Sequence, residues 1–595
     1  MIMFEFFQNL AENMRQKAEQ AVLQNRTLSD KLGKRLSEDK ARSLVSMGRR
    51  VMRELDQSSR QAVILQHRLL HELLEENKNT EYGRSLGFGE IHTARDYQGK
   101  VPFTGYDDYE PYIRRMIQGE KNLLSAKETV HYAMSAGSVG VPKYIPVSEA
   151  ELKKITKYGA EMAFGVADEY YRCTTGKGVP FGPGLCAIEM RVMMTERGVE
   201  KGTVSGSALK SMKDFVPFVL SSPWEVVRPE GEMDLKYLKI FLALGRRDLA
   251  FMESAFLTSL VDLMDYMRDH YEMLCKDIYR GRINDDIRVS EEVRALIEEN
   301  IRPDKERAKE LMREFKRGFD TPIIPRIWPR MSWIGGIGTG GFTPYVRRMR
   351  QYSGKSIPFN NLCYAASESF MAVARHMGDE SYVLIPDSGF YEFIPIREEE
   401  GDGRPLLMDE LEIGEDYEVI VTNLSGFYRY RLQDVVRVTG YYNELPLLRF
   451  VYRKDQLLSI AGEKTNEEAL RWAVEEYSLE TSMHINDYSL YAETSTSPAH
   501  YVILLEPEKP VPKEKLPYCR EVMDSKLMQA NPSYGDKIRN GALGSAEIVF
   551  LQQQTYQLYR DLMTMKGASA NQIKPVRLID TPLKEKFFFG LKETY

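Results

Sequence analysis

Apolar and polar residues recur along the chain with two different periods, which predict helices in its first part and strands in its second. Near the N-terminus the apolar positions follow helical spacing. The clearest stripe consists of Leu65, Leu69, Leu70, Leu73 and Leu74. Residues three or four positions apart lie on one face of a helix, so the stripe predicts an amphipathic helix. We interpret it as core packing and not as a surface for a partner.

Three longer segments also have the composition and period of helices, and one shorter segment is predicted to be a strand. The helical segments are residues 149–171, 248–279 and 290–319. The last of these is dense in Arg, Lys and Glu, which is typical of a solvated helix face rather than of a binding patch. Residues 187–195 form the predicted strand.

Strands dominate the pattern from Tyr382 onward. The apolar or alternating runs are residues 383–386, 390–395, 417–422 and 447–452, and turn residues separate them. A helix is predicted at 467–477, and the remaining chain mixes strands and helices. The pattern as a whole indicates an α/β protein.

A charged break suggests where the chain divides. Arg453, Lys454 and Asp455 interrupt the strands, and we interpret this triplet as a hinge. The prediction is a large domain at residues 1–454 and a small one at residues 455–595. No internal repeat or low-complexity segment is evident.

Composition narrows the class of protein. The 595 residues are 43% hydrophobic and 28% charged, which is typical of a globular protein with at least two domains. The net charge of −6 argues against a nucleic-acid partner, since such a partner calls for a basic face. No apolar run is long enough to cross a membrane, and the short apolar N-terminus carries Glu5 and lacks the features of a signal peptide.

The cysteines indicate a reducing compartment. The chain has five, and they lie far apart without CxxC pairs. We interpret them as reduced thiols of a cytoplasmic protein.

Residues 134–146 carry the first candidate chemistry. The loop is rich in small and hydroxyl residues, namely Ser135, Ala136, Gly137, Ser138 and Gly140. Lys143 lies at its end. Such a loop can bring backbone N–H groups and hydroxyls close to an anion, because no bulky side chain keeps the ligand away. It is not a Walker A sequence, since no Gly-Lys-Ser/Thr follows. An ordinary Gly/Ser turn between strands remains the alternative at this point.

Two further features are ambiguous in isolation. Gly336, Gly338 and Gly341 fit a GxGxxG pattern, but Pro344 and the polar stretch after it supply no βαβ unit for a dinucleotide. We prefer a tight strand-turn beside a ligand pocket. Asp434 directly precedes an apolar strand, where it can be either a turn residue or a ligand contact.

Taken together, the motifs resemble those of one enzyme family. In chain order, the motifs lie at residues 101–106, 135–143, 324–329, 364–368, 428–434, 457–465 and 570–575. The chain is thereby identified as a member of the acyl-acid amido synthetases, the Gretchen Hagen family first known from auxin-responsive plant proteins. These enzymes belong to the adenylate-forming superfamily, and the resemblance extends from about Leu69 to Arg577. Ala136 and Val139 depart from the phosphate loop of that superfamily, and Ala366 stands where the family usually has Ser.

The resemblance implies a fold and a role for each matching residue. The fold is a large N-terminal domain of mixed sheets and helices followed by a small mobile α+β domain. Ser135, Ala136, Gly137 and Ser138 would contact the β- and γ-phosphates of ATP. Tyr364, Ala365, Ala366 and Ser367 would line the adenine and the α-phosphate.

The remaining implied roles concern catalysis, the ribose and the acid. Glu368 would hold Mg²⁺, and Asp434 would accept hydrogen bonds from the ribose hydroxyls. Lys464 would lie at the α-phosphate, and Lys574 would approach the adenylate when the small domain closes. Thr339, Gly340, Phe342 and Tyr391 would border the acyl pocket.

The implied reaction uses ATP and Mg²⁺ to convert a carboxylic acid into acyl-AMP, from which an amine, most naturally an amino acid, takes the acyl group. The expected partners are therefore small molecules, with no nucleic acid and no membrane. An acyl-CoA ligase shares the first half-reaction and remains an alternative. A non-catalytic nucleotide- or acyl-binding relative is the other alternative, and Ala136 and Val139 motivate it.

Overall fold

The computed structural model describes residues 26–135, 143–396, 404–454, 460, 463, 465–568 and 573–594. Within this part the chain forms four sheets, one of seven strands, two of four and one of three. The strands are β1 Thr129–Ser135, β2 Lys143–Ser148, β3 Gly184–Cys186, β4 Val192–Met194, β5 Glu200–Gly202, β6 Phe251–Phe256, β7 Trp333–Ile337, β8 Phe359–Asn360, β9 Cys363–Ala365, β10 Phe370–Val373, β11 Tyr382–Leu384, β12 Gly389–Pro395, β13 Asp416–Asn423, β14 Tyr430–Tyr442, β15 Leu445–Arg453, β16 Ile485–Glu493, β17 His500–Pro507 and β18 Gly544–Phe550.

Helices before β1 contribute to one apolar core with the antiparallel seven-stranded sheet, whose order is β12-β13-β14-β15-β11-β10-β9. These helices are Arg26–Ser58, Ala62–Asn77, Glu81–Ser85, Ala94–Lys100 and Tyr106–Ile117. Leu70 and Leu74 of the predicted stripe are buried in the same apolar cluster as strands β10 to β15. The interpretation of the stripe as core packing is therefore confirmed.

The second layer is the parallel sheet β3-β6-β7-β8. Its helices are Leu235–Leu244, Leu257–Arg280, Glu291–Asn300, Lys305–Lys316, Ile324–Ile327 and Thr343–Ser353. Their apolar side chains form a second core with Met252 and Ile334 of the sheet. The mixed sheet β2-β1-β5-β4 carries the predicted phosphate loop between its first two strands.

Smaller helices complete the large domain around the mixed sheet. They are Glu149–Ile155, Met162–Thr175, Val204–Ala208, Val216–Val219 and Trp224–Val227. A π-helical turn at Thr156–Glu161 joins the first two, so the predicted helix at 149–171 is confirmed with a local irregularity. Such turns are frequent at functional sites.

The structure corrects three predictions. The start of the predicted helix 248–279 is strand β6, because Phe251 is buried between the ring of Trp333, at 5.1 Å, and Phe164. A short apolar run buried on both faces cannot be distinguished from a helix by period alone. The segment 290–319 is two helices, because Pro303 interrupts it and Asp304 caps the second one. Of the predicted strand 187–195, only Val192–Met194 is a strand.

The last part of the chain is α+β. Strands β16, β17 and β18 form its sheet, with the first pair antiparallel and the second parallel. Its helices are Glu467–Thr481, Leu516–Ala530, Pro532–Arg539, Thr555–Met565 and Pro582–Gly590. The helix predicted at 467–477 and the four strands predicted after Tyr382 are thus confirmed. Asp455, the predicted boundary, lies outside the described residues, and none of the described helices is long and apolar enough to cross a membrane.

Candidate active site

The motif at residues 364–368 folds as a tight turn between β9 and β10. The backbone N–H of Ala366 donates to the carbonyl of Ser369 at 2.9 Å and closes the turn. Ala365 is exposed, while Ala366 and Ser367 are partly exposed. Tyr364 and Glu368, at the two ends of the motif, are buried. The turn therefore presents small residues to the outside and holds two polar side chains beneath them.

The structure brings Tyr364 together with Asp434, which lies seventy residues further along the chain. The Tyr364 hydroxyl donates to Oδ2 of Asp434 at 3.0 Å. Asp434 stands opposite Arg453 in the register of β14 and β15, and Arg453 Nε lies 3.7 Å from Oδ1. Burial, with the nearby charge of Asp434, raises the pKa of Tyr364 well above its usual value, so the phenol remains a donor. Two predicted nucleotide contacts thus lie at one place.

An irregular strand orients Asp434. Gln433, the residue before it, has a φ of +62°, which is rare for a residue other than glycine. The register of β14 with β13 shifts between Glu418 and Ile420, which marks a bulge beside Asp434. Bulges often redirect a side chain next to a binding site. No sequence period reveals such a bulge.

Hydrogen bonds fix Glu368 at its carboxylate and at its backbone carbonyl. The Tyr430 hydroxyl donates to its carboxylate Oε1 at 3.3 Å, and the Asn423 amide donates to its backbone carbonyl at 2.7 Å. The described residues contain no cluster of three or more His, Cys, Asp or Glu side chains suited to a metal. Mg²⁺ is usually held by one or two carboxylates together with substrate phosphates and water, so Glu368 on this turn fits the ion it is predicted to bind.

The predicted phosphate loop joins β1 to β2. Ser135 pairs with Lys143 in the register of these antiparallel strands, so both ends of the loop are fixed. Lys143 Nζ lies 5.1 Å from the centre of the Tyr106 ring. Ala136, Gly137, Ser138 and Lys464 lie outside the described residues.

Three of the predicted acyl contacts lie on the turn after β7. The Thr339 hydroxyl shares a hydrogen bond of 2.7 Å with the Tyr382 hydroxyl. Gly340 has a φ of +59°, and a Cβ there would lie 3.2 Å from the ring of Phe450. The ring of Phe342 stacks on Phe256 at 4.6 Å. This strand-turn borders a cavity of about 220 Å³, in agreement with our interpretation of the glycines.

Tyr391 differs from the other predicted acyl contacts. It lies in β12, at the edge of the seven-stranded sheet opposite to β9, and only 1% of its surface is exposed. Its hydroxyl shares a hydrogen bond of 2.8 Å with Ser388. In this structure it is part of the core behind the site.

The C-terminal part of the chain reaches the same strand-turn. Arg577 donates hydrogen bonds to the carbonyl of Gly341 and to Asp487. A Cβ on Gly341 would lie 2.1 Å from Glu467 Oε1, so this glycine allows the close approach. Burial raises the pKa of Glu467, and the positive charges of Arg577 and Lys574 oppose that shift. Lys574 is exposed and lies near enough to Glu467 to act on it.

Three family models match the chain. The model of the GH3 family N-terminal domain matches residues 51–359, that of the central domain residues 382–453, and that of the C-terminal domain residues 468–582. The first alone covers half of the chain. The chain belongs to the GH3 family.

Similar proteins within the GH3 family are amido synthetases by name. The indole-3-acetic acid-amido synthetase GH3.17 of Arabidopsis thaliana is 28% identical over 571 residues, which cover 88% of this chain and 92% of that protein. The jasmonoyl-L-amino acid synthetase JAR4 of Nicotiana attenuata is 28% identical over 548 residues, covering 89% and 93%. The structure of the GH3.15 acyl acid amido synthetase superposes with a TM-score of 0.81 at 25% identity, covering 91% of this chain and 96% of that one.

These likenesses confirm the predicted family, an α/β fold shared with a GH3 acyl acid amido synthetase, and the enzyme class, a ligase of the amido synthetase type. The roles of single residues stay predictions. Sequence reasoning did not single out Tyr430, Arg577 or Glu467. Tyr430 precedes Asp434 by an even number of residues in a strand, which is a usable signal, whereas the contacts of Arg577 and Glu467 depend on how distant segments pack.

Proposed function

We propose that this GH3 protein uses ATP to activate a carboxylic acid as acyl-AMP and then transfers the acyl group to an amine, an amino acid, to form an amide. The observation that carries the proposal is the hydrogen bond between Tyr364 and Asp434. It unites two motifs of the family, and Glu368 lies on the same turn as Tyr364. The names of the relatives support an amine rather than CoA as the acceptor.

The first half-reaction joins two anions. A carboxylate oxygen of the acid attacks the α-phosphorus of ATP, the bond to the β-phosphate breaks, and pyrophosphate leaves. Mg²⁺ at Glu368 would supply positive charge to the phosphates. The Ser135–Ser138 loop would add backbone and hydroxyl donors, and Lys464 would add a cation at the α-phosphate. Such groups offset the repulsion and stabilise the charge of the transition state.

The second half-reaction needs no protein nucleophile. The nitrogen of the amine attacks the acyl carbon, the bond to AMP breaks, and a proton is lost from nitrogen. Asp434 would keep the AMP moiety in place through the ribose hydroxyls. Water must be kept out, because it would hydrolyse the acyl-AMP.

We place the boundary of the mobile domain near Asp455 as part of the same proposal. Most nucleotide motifs precede this residue, while Lys574 follows it by more than a hundred residues. The contact of Arg577 with Gly341 supports an approach of the last domain to the strand-turn at 339–342. Closure would bring Lys574 to the adenylate. The cytoplasmic location stays a prediction.

Pyrophosphate exchange tests the proposed reaction. The purified chain is assayed with Mg-ATP against a panel of carboxylic acids, and amines or CoA are then added and the products identified by mass. We expect exchange with at least one acid and an amide product. A thioester in place of the amide would identify a CoA ligase. Tight ATP binding without exchange for any acid would favour a non-catalytic relative.

A second experiment tests closure. Lys574→Ala should slow single-turnover formation of acyl-AMP by about 10²–10³-fold and leave ATP affinity nearly unchanged, because the contact forms mainly in the closed state. Lys566→Ala, an exposed lysine at the end of the preceding helix, serves as the control. Wild-type rates in Lys574→Ala would remove this lysine from the reaction.

A further inference from the structure

The segment that carries Lys574 is attached to strand β16 by backbone hydrogen bonds. The N–H of Leu490 donates to the carbonyl of Arg577 at 2.8 Å, and the N–H of Ile579 donates to the carbonyl of Leu490 at 2.9 Å. These bonds follow Lys574 closely in the chain, while the side chain of Lys574 itself is exposed. The position of Lys574 therefore depends on where residues 577–579 are held.

The side chain of Arg577 joins this segment to the large domain. Within the C-terminal domain its guanidinium donates to Oδ1 of Asp487 at 2.5 Å and to the carbonyl of Tyr488 at 2.7 Å. Another nitrogen of the same guanidinium donates to the carbonyl of Gly341, in the strand-turn at 339–342. A guanidinium presents its donors in fixed directions, so it can hold partners on two sides at once. Arg577 thus connects the segment directly to the strand-turn.

A buried network surrounds the place where Arg577 docks. Tyr345, fully buried in the helix after the strand-turn, donates to the second carboxylate oxygen of Asp487. The same hydroxyl accepts a hydrogen bond of 2.7 Å from Arg560. Arg560 also binds both carboxylate oxygens of Asp262 in the large domain, at 2.7 and 3.3 Å. Buried charges are stable only with their partners in place, so the network restricts how the two domains can meet.

The docked segment lies beside the cavity at the strand-turn. Glu467, the first residue of its helix, lines this cavity together with Thr339 and Gly340. Its carboxylate Oε1 lies 3.8 Å from Nε of Arg577. The charge of Lys574 is close enough to Glu467 to lower its pKa. Docking of Arg577 therefore places Lys574 beside the cavity.

We propose that Arg577 is a positioning residue for adenylation and acts through Lys574, because its bond to Gly341 fixes the segment that carries the lysine. The inference rests on the proposed adenylation and on the role of Lys574 in it. A lysine ammonium is a point charge on a flexible stem, so holding its backbone limits where the charge can go. A misplacement of about 1 Å can cost about 10²-fold in rate. Arg577 thus supplies orientation to the reaction and no contact with the substrate.

A double-mutant cycle tests the inference. Single-turnover formation of acyl-AMP is measured for the wild type, Arg577→Met, Lys574→Ala and the double variant, with an acid identified by pyrophosphate exchange. Arg577→Met should slow this step by about 10–10²-fold and leave ATP affinity nearly unchanged. The double variant should be no slower than Lys574→Ala alone, because a positioning residue has no effect once the group that it positions is gone.

Arg560→Met is the matched control, since it also removes a buried arginine pair at the domain interface but leaves the contacts of Arg577 intact. It should slow acyl-AMP formation far less than Arg577→Met. Denaturant unfolding shows whether each variant is folded. If Arg577→Met does not fold, the cycle is run with Arg577→Lys, which keeps a charge beside Asp487 but cannot also reach Gly341.

Equal slowing by loss of the arginine in the wild-type and Lys574→Ala backgrounds would overturn the inference, because Arg577 would then act independently of the lysine. Equal slowing by Arg560→Met and Arg577→Met would also overturn it, because any loss at the domain interface would then suffice. Both results leave adenylation established. A wild type that exchanges with no acid would refute the proposed function, and wild-type rates in Lys574→Ala would refute the role of the lysine. The inference falls with either.

Discussion

The carboxylates of the seven-stranded sheet and that of Glu253 in the parallel sheet differ in their partners. In the seven-stranded sheet, Glu392 is 1% exposed and forms two hydrogen bonds of 3.0 Å with Arg429. Glu418, with no exposed surface, accepts hydrogen bonds from Arg431 at 2.9 Å and from Lys454 at 2.6 Å. In the parallel sheet, Glu253 has no such partner within the described residues.

The difference separates carboxylates that organise the protein from one that has no cationic partner within the described residues. Arg429 also donates to the carbonyls of Gln98 and Val101, so its pair with Glu392 ties the N-terminal helices to the sheet. Glu368 is an intermediate case, since a neutral tyrosine hydroxyl holds its carboxylate. Asp434 is another, since it combines a tyrosine hydroxyl with the Arg453 guanidinium 3.7 Å away. Partner chemistry thus indicates function where burial alone does not.

The largest effect on stability is expected from breaking the ion pair between Arg429 and Glu392 in the seven-stranded sheet. Arg429→Met should lower the free energy of unfolding by about 3–5 kcal/mol, because Glu392 would remain buried without a cation. Denaturant unfolding measures the loss. Arg437→Met is the matched control: Arg437 also binds a carboxylate with two hydrogen bonds, but this pair with Asp416 is about a quarter exposed.

Solvent screens the control pair, so Arg437→Met should cost about 0–1 kcal/mol. Equal losses of unfolding free energy in the two variants would show that burial does not govern how much these ion pairs stabilise the protein. The contrast between the two sheets would then lose its basis.

The sequence predicted β11, β12, β13 and β15 of the seven-stranded sheet because these strands alternate or follow turn residues closely. It missed β9 and β10, which precede Tyr382. It failed at β6, where Phe251 and Met252 contact different cores on the two faces of one strand. Burial on both faces removes the period by which a strand is recognised. The helix break at Pro303, by contrast, has a signature in the sequence, since proline interrupts a helix.

Some features of the candidate site could also be predicted from the sequence, and others could not. The motifs at 364–368 and at Asp434 could be predicted from residue types in family order. The bulge at Gln433 and the partners of Glu368 could not, because they depend on backbone geometry and on contacts between segments far apart in the chain. The lack of a partner for Glu253 among the described residues is likewise a property of packing and has no signature in its neighbours in sequence.

An intermediate effect is expected at Asp434, whose carboxylate has a tyrosine partner and a proposed ligand. Asp434→Ala should weaken ATP binding by about 2–3 kcal/mol through the loss of charge-assisted hydrogen bonds to the ribose. Calorimetry with ATP measures the loss, and circular dichroism checks the fold. Tyr364→Phe removes only the hydroxyl that orients the carboxylate and should cost about 1 kcal/mol. Unchanged affinity in folded Asp434→Ala would make Asp434 a purely structural residue, like Glu392.

The smallest effect concerns the stability of the parallel sheet and its dependence on pH. The pKa of Glu253 is about 7 in the folded protein and near its ordinary value of 4.5 in the unfolded chain. The folded state therefore binds more protons between these values, so its stability is full below pH 4.5 and falls as pH rises through 7. Glu253→Gln removes this titration and should be about 1–2 kcal/mol more stable than wild type at pH 8, after allowance for solvent access.

The gap between Glu253→Gln and wild type should close as the pH is lowered toward 5. Glu151, whose pKa burial also raises to about 7, titrates in the same range in both proteins and cancels in the difference. Denaturant unfolding at a series of pH values measures the gap, and exposed Glu299→Gln should show none. A gap independent of pH would mean that Glu253 is solvated or paired in solution, and the parallel sheet would then follow the same rule as the seven-stranded one.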